Sequence, residues 1–279
     1  MRIVTWNMDH WRRPAAQRLE AWEFLRTRIQ PDIALVQEAV PPSDMPNVIF
    51  RQGGLHDERK SPPKDLGWGS AVVSFERQLQ PIYEASSPFH DKPIPLLRTF
   101  PGSVAIAEIA DSGLAVVSAY GVIDRGYADS TVHRILSDLT PLLDQRRARG
   151  IVFAGDLNIT TQWSAKHKGF LRGRQDECLK RDANLFERFD ALGLHNVAVG
   201  DAPLENCLCT LGAACRHVQT QRHERSEFPW QNDYIFVTAD LLERKPRVEV
   251  LDDEAAWRLS GHCPLVVDIG GAKPPGATA

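Results

Sequence analysis

Polar side chains that could carry out chemistry lie next to several apolar runs of this sequence. They are Asn7 after RIVTW, Glu38 after IALVQ, Asp156 and Asn158 after IVFAG, Asp233 before YIFV, and His262 before CPLVV. A polar group at the end of a strand can reach a shared cleft while the strand holds its backbone rigidly. Any one of them is more often a turn or capping residue than a catalyst. The prediction of an active site therefore depends on the whole set.

The segments around these residues alternate between strand-like and helix-like patterns. Strands are predicted at 2–8, 32–40, 67–75, 103–110, 114–120, 150–158, 233–238, 247–251 and 263–269. Helices are predicted at 14–29, 129–149 and 176–192, and long loops at 41–66 and 196–229. The turn DSG favours an antiparallel hairpin. Hairpins combined with crossover helices predict two β-sheets packed face to face, with helices outside.

The composition is that of a globular chain, with 43% hydrophobic and 25% charged residues among 279. We expect one domain over residues 1–270 and a disordered tail at 271–279. The net charge of −3 excludes binding of nucleic acid through overall charge, so such binding needs local basic patches. Neither a secretory signal nor a membrane span is apparent. Five cysteines do not indicate a disulfide framework, so a cytoplasmic protein with reduced thiols is predicted.

Seven motifs occur in the order and approximate spacing of one known group of proteins. They are TWNM, LVQE, WGSAVVS, SAYG, GDLN, QNDYIFV and SGHCP, and the similarity extends over residues 2–269. The sequence therefore resembles the endonuclease/exonuclease/phosphatase superfamily, which includes DNase I-like nucleases, exonuclease III-like repair enzymes, sphingomyelinases and inositol-polyphosphate phosphatases. The resemblance implies a four-layer α/β/β/α sandwich of two mixed β-sheets. It also implies hydrolysis of a phosphate ester.

The resemblance further implies a divalent cation held by Glu38 and Asn7, which match the superfamily's metal positions. Glu38 would supply a carboxylate and Asn7 an amide oxygen. A cation assists phosphate-ester hydrolysis because it neutralises the anionic substrate and polarises the phosphoryl oxygen. Hard oxygen ligands favour Mg²⁺ or Mn²⁺.

The remaining matched residues imply a catalytic set. Asp156 in GDLN should orient or deprotonate the attacking water, and Asn158 should hold a phosphate oxygen. His262, as an imidazolium, can donate to the same phosphate, while Asp233 orients the ring and raises its pKa. Tyr120 in SAYG matches the repair-nuclease branch, where it would protonate the leaving oxygen or position the phosphate. A half-buried strand aromatic is the alternative for Tyr120.

The sequence departs from the superfamily at two positions of the presumed site. Gly261 stands where an acidic residue usually precedes the final histidine, which puts metal affinity or a second metal site in question. Asp9 and Asp124 are carboxylates that could compensate. Gln231 stands where the repair nucleases have arginine. These differences support the superfamily better than any one substrate class.

A second group of residues that could bind a metal lies in CLCTLGAACRHVQTQRH, at 207–223. Cys207, Cys209, Cys215 and His217, with His223 as a further candidate, could supply four soft ligands to zinc. Structural sites usually separate paired cysteines by two or more residues, and Cys207-x-Cys209 is tighter. The sequence favours an ordinary loop with free thiols over a zinc site. If zinc binds, it would fix this loop and take no part in the reaction.

Two basic stretches flank the presumed cleft, at 166–174 and 216–225. The candidates for contacts to phosphate are Lys168, Arg172, Arg174 and Arg216. Solvated loop charge is the alternative, since only Trp163 and Phe170 lie nearby as stacking partners.

The sequence as a whole predicts a metal-dependent phosphoesterase that hydrolyses phosphodiesters, with nucleic acid, DNA or RNA, as the leading substrate. A small-molecule or lipid phosphodiesterase or phosphatase of the same superfamily is the second reading. A catalytically weak phosphate-binding module, motivated by Gly261, is the third.

Overall fold

The structure is a computed structural model that describes residues 1–52, 56–57, 64–65, 67–87, 90–97, 100–146, 150–164, 174–223 and 226–270. The tail predicted to be disordered, at 271–279, lies outside the described residues. None of the described helices is both long enough and apolar enough to cross a lipid bilayer.

The described residues form short strands and a smaller number of helices. The strands are β1 (Arg2–Asn7), β2 (Ile33–Ala39), β3 (Val48–Gln52), β4 (His56–Asp57), β5 (Lys64–Asp65), β6 (Gly69–Ser74), β7 (Leu79–Pro81), β8 (Glu84–Ser87), β9 (His90–Pro95), β10 (Val104–Ile109), β11 (Ala115–Ala119), β12 (Ile151–Asp156), β13 (Leu194–Asn196), β14 (Asp233–Thr238), β15 (Arg247–Val250) and β16 (Leu265–Asp268). The α-helices are α1 (Ala15–Phe24), α2 (Asp129–Arg146), α3 (Gln175–Ala191), α4 (Ala239–Leu242) and α5 (Glu254–Leu259). A π-helical turn, Leu25–Ile29, continues α1, and 3-10 turns lie at Pro101–Ser103 and Gly212–Ala214.

Two six-stranded sheets organise these elements. The first has the order β15-β16-β1-β2-β6-β3, in which β1 and β2 are parallel and the other pairs antiparallel. The second has the order β13-β14-β12-β11-β10-β7, in which only β11 and β12 are parallel. The hairpin predicted around DSG is confirmed as the β10–β11 pair. Each sheet is therefore mixed, and each carries one parallel pair near its centre.

The hydrophobic side chains show how the layers pack. Ile3 and Leu35 of the first sheet share one cluster with Val116 and Val152 of the second, so the two sheets meet face to face. On the outer face of the first sheet, residues of α1 pack with strand residues such as Val4. On the outer face of the second sheet, residues of α2 and α3 pack with strand residues of β12 and β14. This arrangement confirms the four-layer α/β/β/α sandwich.

One predicted loop contains a strand. The expected loop at 41–66 contains β3, which pairs with β6 along its whole length; its short apolar run, Val48–Phe50, stands among prolines and glycines that hid the strand pattern. The helix predicted over 129–149 is confirmed as α2, with Pro141 inside it, and residues 147–149 lie outside the described residues. Gln30, with a φ of +51°, ends the first helical segment before Pro31.

Candidate active site

The predicted catalytic residues converge where strands of the two sheets end. Asn7 is the last residue of β1, Glu38 lies near the end of β2, and Asp156 is the last residue of β12. Asp233 begins β14 and pairs directly with Asp156 across the antiparallel ladder. His262 follows α5 and precedes β16. The parallel pair β1–β2 and the strand pair β12–β14 thus bring their polar ends to one cleft.

Local backbone geometry aims two of the carboxylates. The pairing of β2 with β6 shifts register between Val36 and Ala39, and Glu38 within this bulge has a φ of +48°. Such bulges redirect a side chain relative to the regular pleat. Gly155 precedes Asp156, and a Cβ there would lie 1.8 Å from the carbonyl oxygen of Ala119. The glycine of GDLN is therefore required for the close approach of β11 and β12 that places Asp156.

His262 is held by a buried hydrogen bond to Asp233 at one ring nitrogen, and its other ring nitrogen, Nε2, lies 3.2 Å from Nε2 of Gln221. Its Nδ1 lies 2.8 Å from Oδ2 of Asp233, and its Nε2 lies 3.9 Å from Oδ2 of Asp156. Its backbone amide donates to Oγ of Ser260, and that hydroxyl donates to the carbonyl of Asn7. The indole of Trp6 donates to the carbonyl of His262 at 2.8 Å. The histidine therefore faces the cleft in a fixed orientation, with Nε2 directed towards Asp156.

Asn7 links the carboxylates of Glu38 and Asp156. Its Nδ2 donates to Oε1 of Glu38 at 3.0 Å and to Oδ2 of Asp156 at 2.8 Å. Its amide oxygen accepts the backbone N–H of Asp9 at 2.9 Å. The prediction that Asn7 supplies an oxygen to a metal stays a prediction, since this oxygen has a second lone pair. In the arrangement seen, Asn7 spaces Glu38 and Asp156, and its oxygen is engaged by the chain itself.

The charges at the site depend strongly on each other. Burial would lower the pKa of His262, but the Asp233 and Asp156 carboxylates raise it to about 10, so the ring is charged at neutral pH. Burial raises the pKa of Asp156 to about 7, against the lowering effect of the His262 charge. Burial also raises the pKa of Glu38, although Asn7 opposes this through its hydrogen bond. For both Glu38 and Asp156 to be ionised at neutral pH, positive charge beyond that of His262 is needed to balance them.

Carboxylate oxygens are available for a cation on one side of the cleft. Oε2 of Glu38 is buried and has no hydrogen-bond partner of normal geometry among the described residues. Asp9 lines the same cleft and is only 6% exposed. Its Oδ2 accepts a hydrogen bond from Arg13 at 3.1 Å, and its Oδ1 lies 3.7 Å from Nε of Arg12. Burial raises the pKa of Asp9, although the two guanidinium groups oppose this. A Cβ placed at Gly261 would lie 3.8 Å from Oδ2 of Asp9. The Asp9 carboxylate therefore lies beside the space that an acidic side chain at position 261 would enter.

Asp124, the other carboxylate considered from the sequence, forms a tight backbone pair with Tyr127 and is not among the residues that line the cleft. Gln231, in the place of an arginine, is buried. Its amide donates to the carbonyl of Ala198 and accepts the backbone N–H of Val218. Gln231 therefore joins neighbouring segments of the chain.

Tyr120 and Asn158 complete the wall of the cleft. Tyr120 is half-buried and packs edge-on against Trp68, with ring centroids 5.4 Å apart. Burial and the charges of Glu38 and Asp156 raise the pKa of Tyr120 well above its usual value, so its hydroxyl stays protonated. Asn158, with a φ of +50°, donates through Nδ2 to the carbonyl of Gly121.

The cleft has a volume of about 760 Å³, and its rim combines apolar and cationic side chains. Trp11 is 49% exposed, and the guanidinium of Arg12 lies over its ring at 4.3 Å. Ile123 and Phe228 are also exposed there. Arg222 lies on the same rim and pairs there with Glu254 at 2.8 Å and with Asp252 at 3.5 Å. Trp11 and Arg12 were not predicted to lie at the cleft. Their position shortly after the motif TWNM was the only sequence signal for it.

The basic residues predicted to contact phosphate are placed unevenly. Lys168, Arg172 and Phe170 lie outside the described residues. Arg174 precedes α3 and pairs with Glu177, and Arg216 donates to the carbonyls of Ala213 and Cys215. Neither Arg174 nor Arg216 is among the residues that line the cleft, whereas Trp163 is.

The cysteine-rich stretch brings four of its predicted ligands together. Cys207, Cys209, Cys215 and His217 each place one ligand atom within 4.8 Å of the others. His223 lines the active-site cleft instead.

Comparisons with known proteins agree with this architecture. No protein-family model and no curated relative matches the sequence. Solved structures do match over nearly the whole chain. The endonuclease domain of TRAS1, a telomere-specific non-LTR retrotransposon, has a TM-score of 0.58 at 20% identity, covering 98% of this chain and 99% of that one. The 3′ phosphatase NExo from Neisseria, bound to a product DNA hairpin, has a TM-score of 0.58 at 18% identity, covering 97% and 100%.

The AP endonuclease LMAP from Leishmania major has a TM-score of 0.62 at 14% identity, covering 97% of this chain and 88% of that one. At these identities the likeness concerns the fold. The order of the two mixed sheets and the helical layers outside them agree with it. The chain therefore has a DNase I-like fold.

Proposed function

We propose that the protein is a divalent-metal-dependent phosphoesterase that hydrolyses phosphodiester bonds in nucleic acid. One observation carries the proposal: an unbroken line of buried groups runs from Glu38 through Asn7 to Asp156, and from Asp156 past His262 to Asp233. Within the cleft, the Glu38 and Asp156 carboxylates lie beside a charged imidazole, and Asp233 holds that imidazole from outside the cleft lining. An anionic phosphate fits between them if a cation binds at the carboxylate end.

The cation would be held by Glu38 and Asp9. Glu38 has a buried carboxylate oxygen without a hydrogen-bond partner of normal geometry among the described residues, and the Asp9 carboxylate lies beside position 261. Oxygen ligands of this kind suit Mg²⁺ or Mn²⁺, which also retain several waters. When bound, such a cation would neutralise substrate charge and polarise the phosphoryl oxygen. Asn7 would act as a positioning residue that keeps Glu38 and Asp156 apart.

The remaining steps belong to the side chains of the chain itself. Asp156 accepts a hydrogen bond from the attacking water and takes its proton. Its pKa near 7 in the metal-free chain suits a base at neutral pH. His262 donates from Nε2 to a non-bridging phosphate oxygen, where negative charge grows in the transition state. Asp233 keeps that ring charged and oriented. The protonated Tyr120 hydroxyl donates to the leaving oxygen, and the Asn158 amide holds the phosphate.

The rim of the cleft supports a nucleic-acid substrate over a small phosphate ester. Trp11 and Phe228 offer exposed rings that can stack with bases, and Arg12 and Arg222 offer charge for the backbone. Similar folds include an endonuclease domain and a 3′ phosphatase bound to a DNA hairpin. A small-molecule phosphatase would need no such extended rim.

A comparison of substrates tests this proposal. Plasmid DNA, an abasic duplex, a duplex with a 3′-phosphate, single-stranded RNA and p-nitrophenyl phosphate are incubated with Mg²⁺, with Mn²⁺ and with EDTA. We expect metal-dependent cleavage of at least one nucleic acid at a kcat/KM well above that for p-nitrophenyl phosphate. Preference for the small ester would favour a small-molecule phosphatase. Tight binding of nucleic acid without turnover in any metal would indicate a binding module.

A further inference from the structure

We infer that the chain holds a structural zinc ion, coordinated by Cys207, Cys209, Cys215 and His217, at a site separate from the proposed catalytic centre. These residues supply three thiolates and one imidazole, a ligand set that zinc prefers in tetrahedral structural sites. Each offers one atom, and the four atoms lie within 4.8 Å of one another. This inference does not rest on the proposed function.

Two sulfur–nitrogen distances within the cluster match the edge of a zinc tetrahedron. With Zn–S of about 2.3 Å and Zn–N of about 2.0–2.1 Å, the edge of a tetrahedron between sulfur and nitrogen is about 3.5–3.6 Å. Nδ1 of His217 lies 3.6 Å from Sγ of Cys207 and 3.4 Å from Sγ of Cys215. These separations agree with shared coordination of one ion.

The surroundings fix the imidazole for coordination through Nδ1. Nε2 of His217 lies 2.8 Å from Oγ1 of Thr161. If Nε2 carries the proton and donates it to Thr161, Nδ1 is left as the lone-pair atom that faces the sulfurs. A partner on the second ring nitrogen is the usual support of a zinc-bound histidine. The side-chain amide of Gln162 also donates to Sγ of Cys207 at 3.3 Å, which suits a thiolate.

The loop reaches this geometry despite the short Cys207-x-Cys209 spacing. Asn206 and Gly212 have φ values of +57° and +54°, so the chain turns sharply on both sides of Cys209. The 3-10 turn Gly212–Ala214 then returns the chain to Cys215. The sequence favoured an ordinary loop because that spacing is unusual, whereas the turns allow both cysteines to face one point.

The ion would brace the segments that carry catalytic residues. Thr161 and Gln162 belong to the loop that follows Asp156 and Asn158. Gln162 also donates to the carbonyl of Pro229 and accepts the backbone N–H of Gln231, two residues before Asp233. The cluster therefore connects the cysteine loop to the segment after Asp156 and to the segment before Asp233. Its effect on the reaction would be to position these two residues.

Metal analysis of the full chain tests the inference. The protein is purified without chelators, and zinc is measured by mass spectrometry together with release by a mercurial thiol reagent. We expect one zinc per chain, and in the cobalt-substituted protein an absorption spectrum with thiolate-to-cobalt charge transfer. Cys209→Ser should lower zinc affinity by at least about 10-fold. Cys178→Ser, which removes a thiol on α3, is the matched control and should keep the ion. Glu38→Gln should also keep it, since that change affects only the carboxylate site.

Three results would overturn the inference. They are wild-type protein that takes up neither zinc nor cobalt, zinc content unchanged by Cys209→Ser, and a disulfide among these cysteines in the native protein. If Cys209→Ser fails to fold, the cobalt spectrum of the wild-type chain decides the outcome, because thiolate charge transfer cannot arise at an all-oxygen site.

Discussion

At the scale of single residues, His262 takes its chemical character from the two carboxylates on either side of it. Asp233 binds Nδ1 at 2.8 Å, and Asp156 lies 3.9 Å from Nε2. Burial alone would favour the neutral ring, whereas these charges raise the pKa of His262 to about 10. The charged form is therefore present below that pH and is lost as the pH rises through it.

Replacing Asp233 should move the alkaline limb of the activity profile. In wild type we expect kcat/KM to fall with an apparent pKa near 10, because His262 loses its proton there. Asp233→Asn removes one negative charge, lowers the pKa of His262, and shifts this limb to lower pH. Proton NMR of the His262 ring in both proteins measures the same shift directly. An alkaline limb at the same pH in both proteins would contradict the role given to Asp233.

Asp9 and Gly261 offer a test of how the carboxylate side of the cleft is built. Asp9→Asn should weaken Mn²⁺ binding, measured by calorimetry, by roughly 10-fold or more, because fewer charged ligands remain. Adding Gly261→Asp should restore much of the affinity, since a side chain there enters the space next to residue 9. If Asp9→Asn leaves Mn²⁺ affinity unchanged, Asp9 has no part in holding the cation.

At the scale of elements, strand ends and short connections determine which side chains meet. Three local features direct side chains into the cleft. The bulge in β2 directs Glu38, Gly155 allows the close strand approach that places Asp156, and the loop from α5 to β16 carries His262. Ser260 joins two of these connections, since its hydroxyl donates to the Asn7 carbonyl and accepts from the His262 amide. This serine is fully buried.

Ser260→Ala should therefore destabilise the fold and loosen His262. Removal of the hydroxyl leaves a buried amide and a buried carbonyl without this partner, which costs about 1–3 kcal/mol. Urea unfolding measures the change, with the exposed Ser112→Ala as the control that should stay within about 0.5 kcal/mol of wild type. If Ser260→Ala lowers the free energy of unfolding no more than Ser112→Ala does, the two hydrogen bonds of Ser260 do not stabilise the fold as stated.

Most of the central strands and the polar residues at their ends could be predicted from sequence, because long apolar runs and the residues next to them are local signals. The positions of Asn7, Glu38, Asp156, Asp233 and His262 in one cleft follow from them. The orientation of the Asn7 amide could not be predicted. Its nitrogen donates to Glu38 and Asp156, which are distant in sequence, and its oxygen accepts the backbone N–H of Asp9, whose position depends on the local turn. The strand at Val48–Gln52 could not be predicted, because its apolar run is only Val48–Phe50 and prolines and glycines flank it.

At the scale of the whole molecule, a net negative chain places arginines at the rim of its cleft, where acidic side chains also lie. The charge of −3 is spread over the whole sequence, whereas Arg12 and Arg222 stand at the cleft beside exposed aromatic rings. Two helical layers cover the outer faces of the sheets, so the polar strand ends open at one edge of the sandwich. Substrate affinity should then depend on a few local cations rather than on overall charge.

Salt dependence of nucleic-acid binding measures how many cations take part. With catalysis blocked by EDTA, log K should fall linearly with log salt concentration. Arg12→Ala and Arg222→Ala should each weaken binding across sequences and reduce the slope by about 1. Arg216→Ala, remote from the cleft lining, should leave the slope unchanged. An equal effect of all three would show that the rim has no special role.

The central claim is that His262 acts on a phosphodiester at a metal-dependent site. Its most direct test is the single-turnover rate of His262→Ala on the best nucleic-acid substrate in saturating Mg²⁺, beside wild type with and without EDTA. We expect loss of the wild-type rate in EDTA and a fall of about 100-fold or more in the variant, because a charged donor to the phosphate is removed. An unchanged rate in His262→Ala, or cleavage that persists in EDTA, would contradict the account.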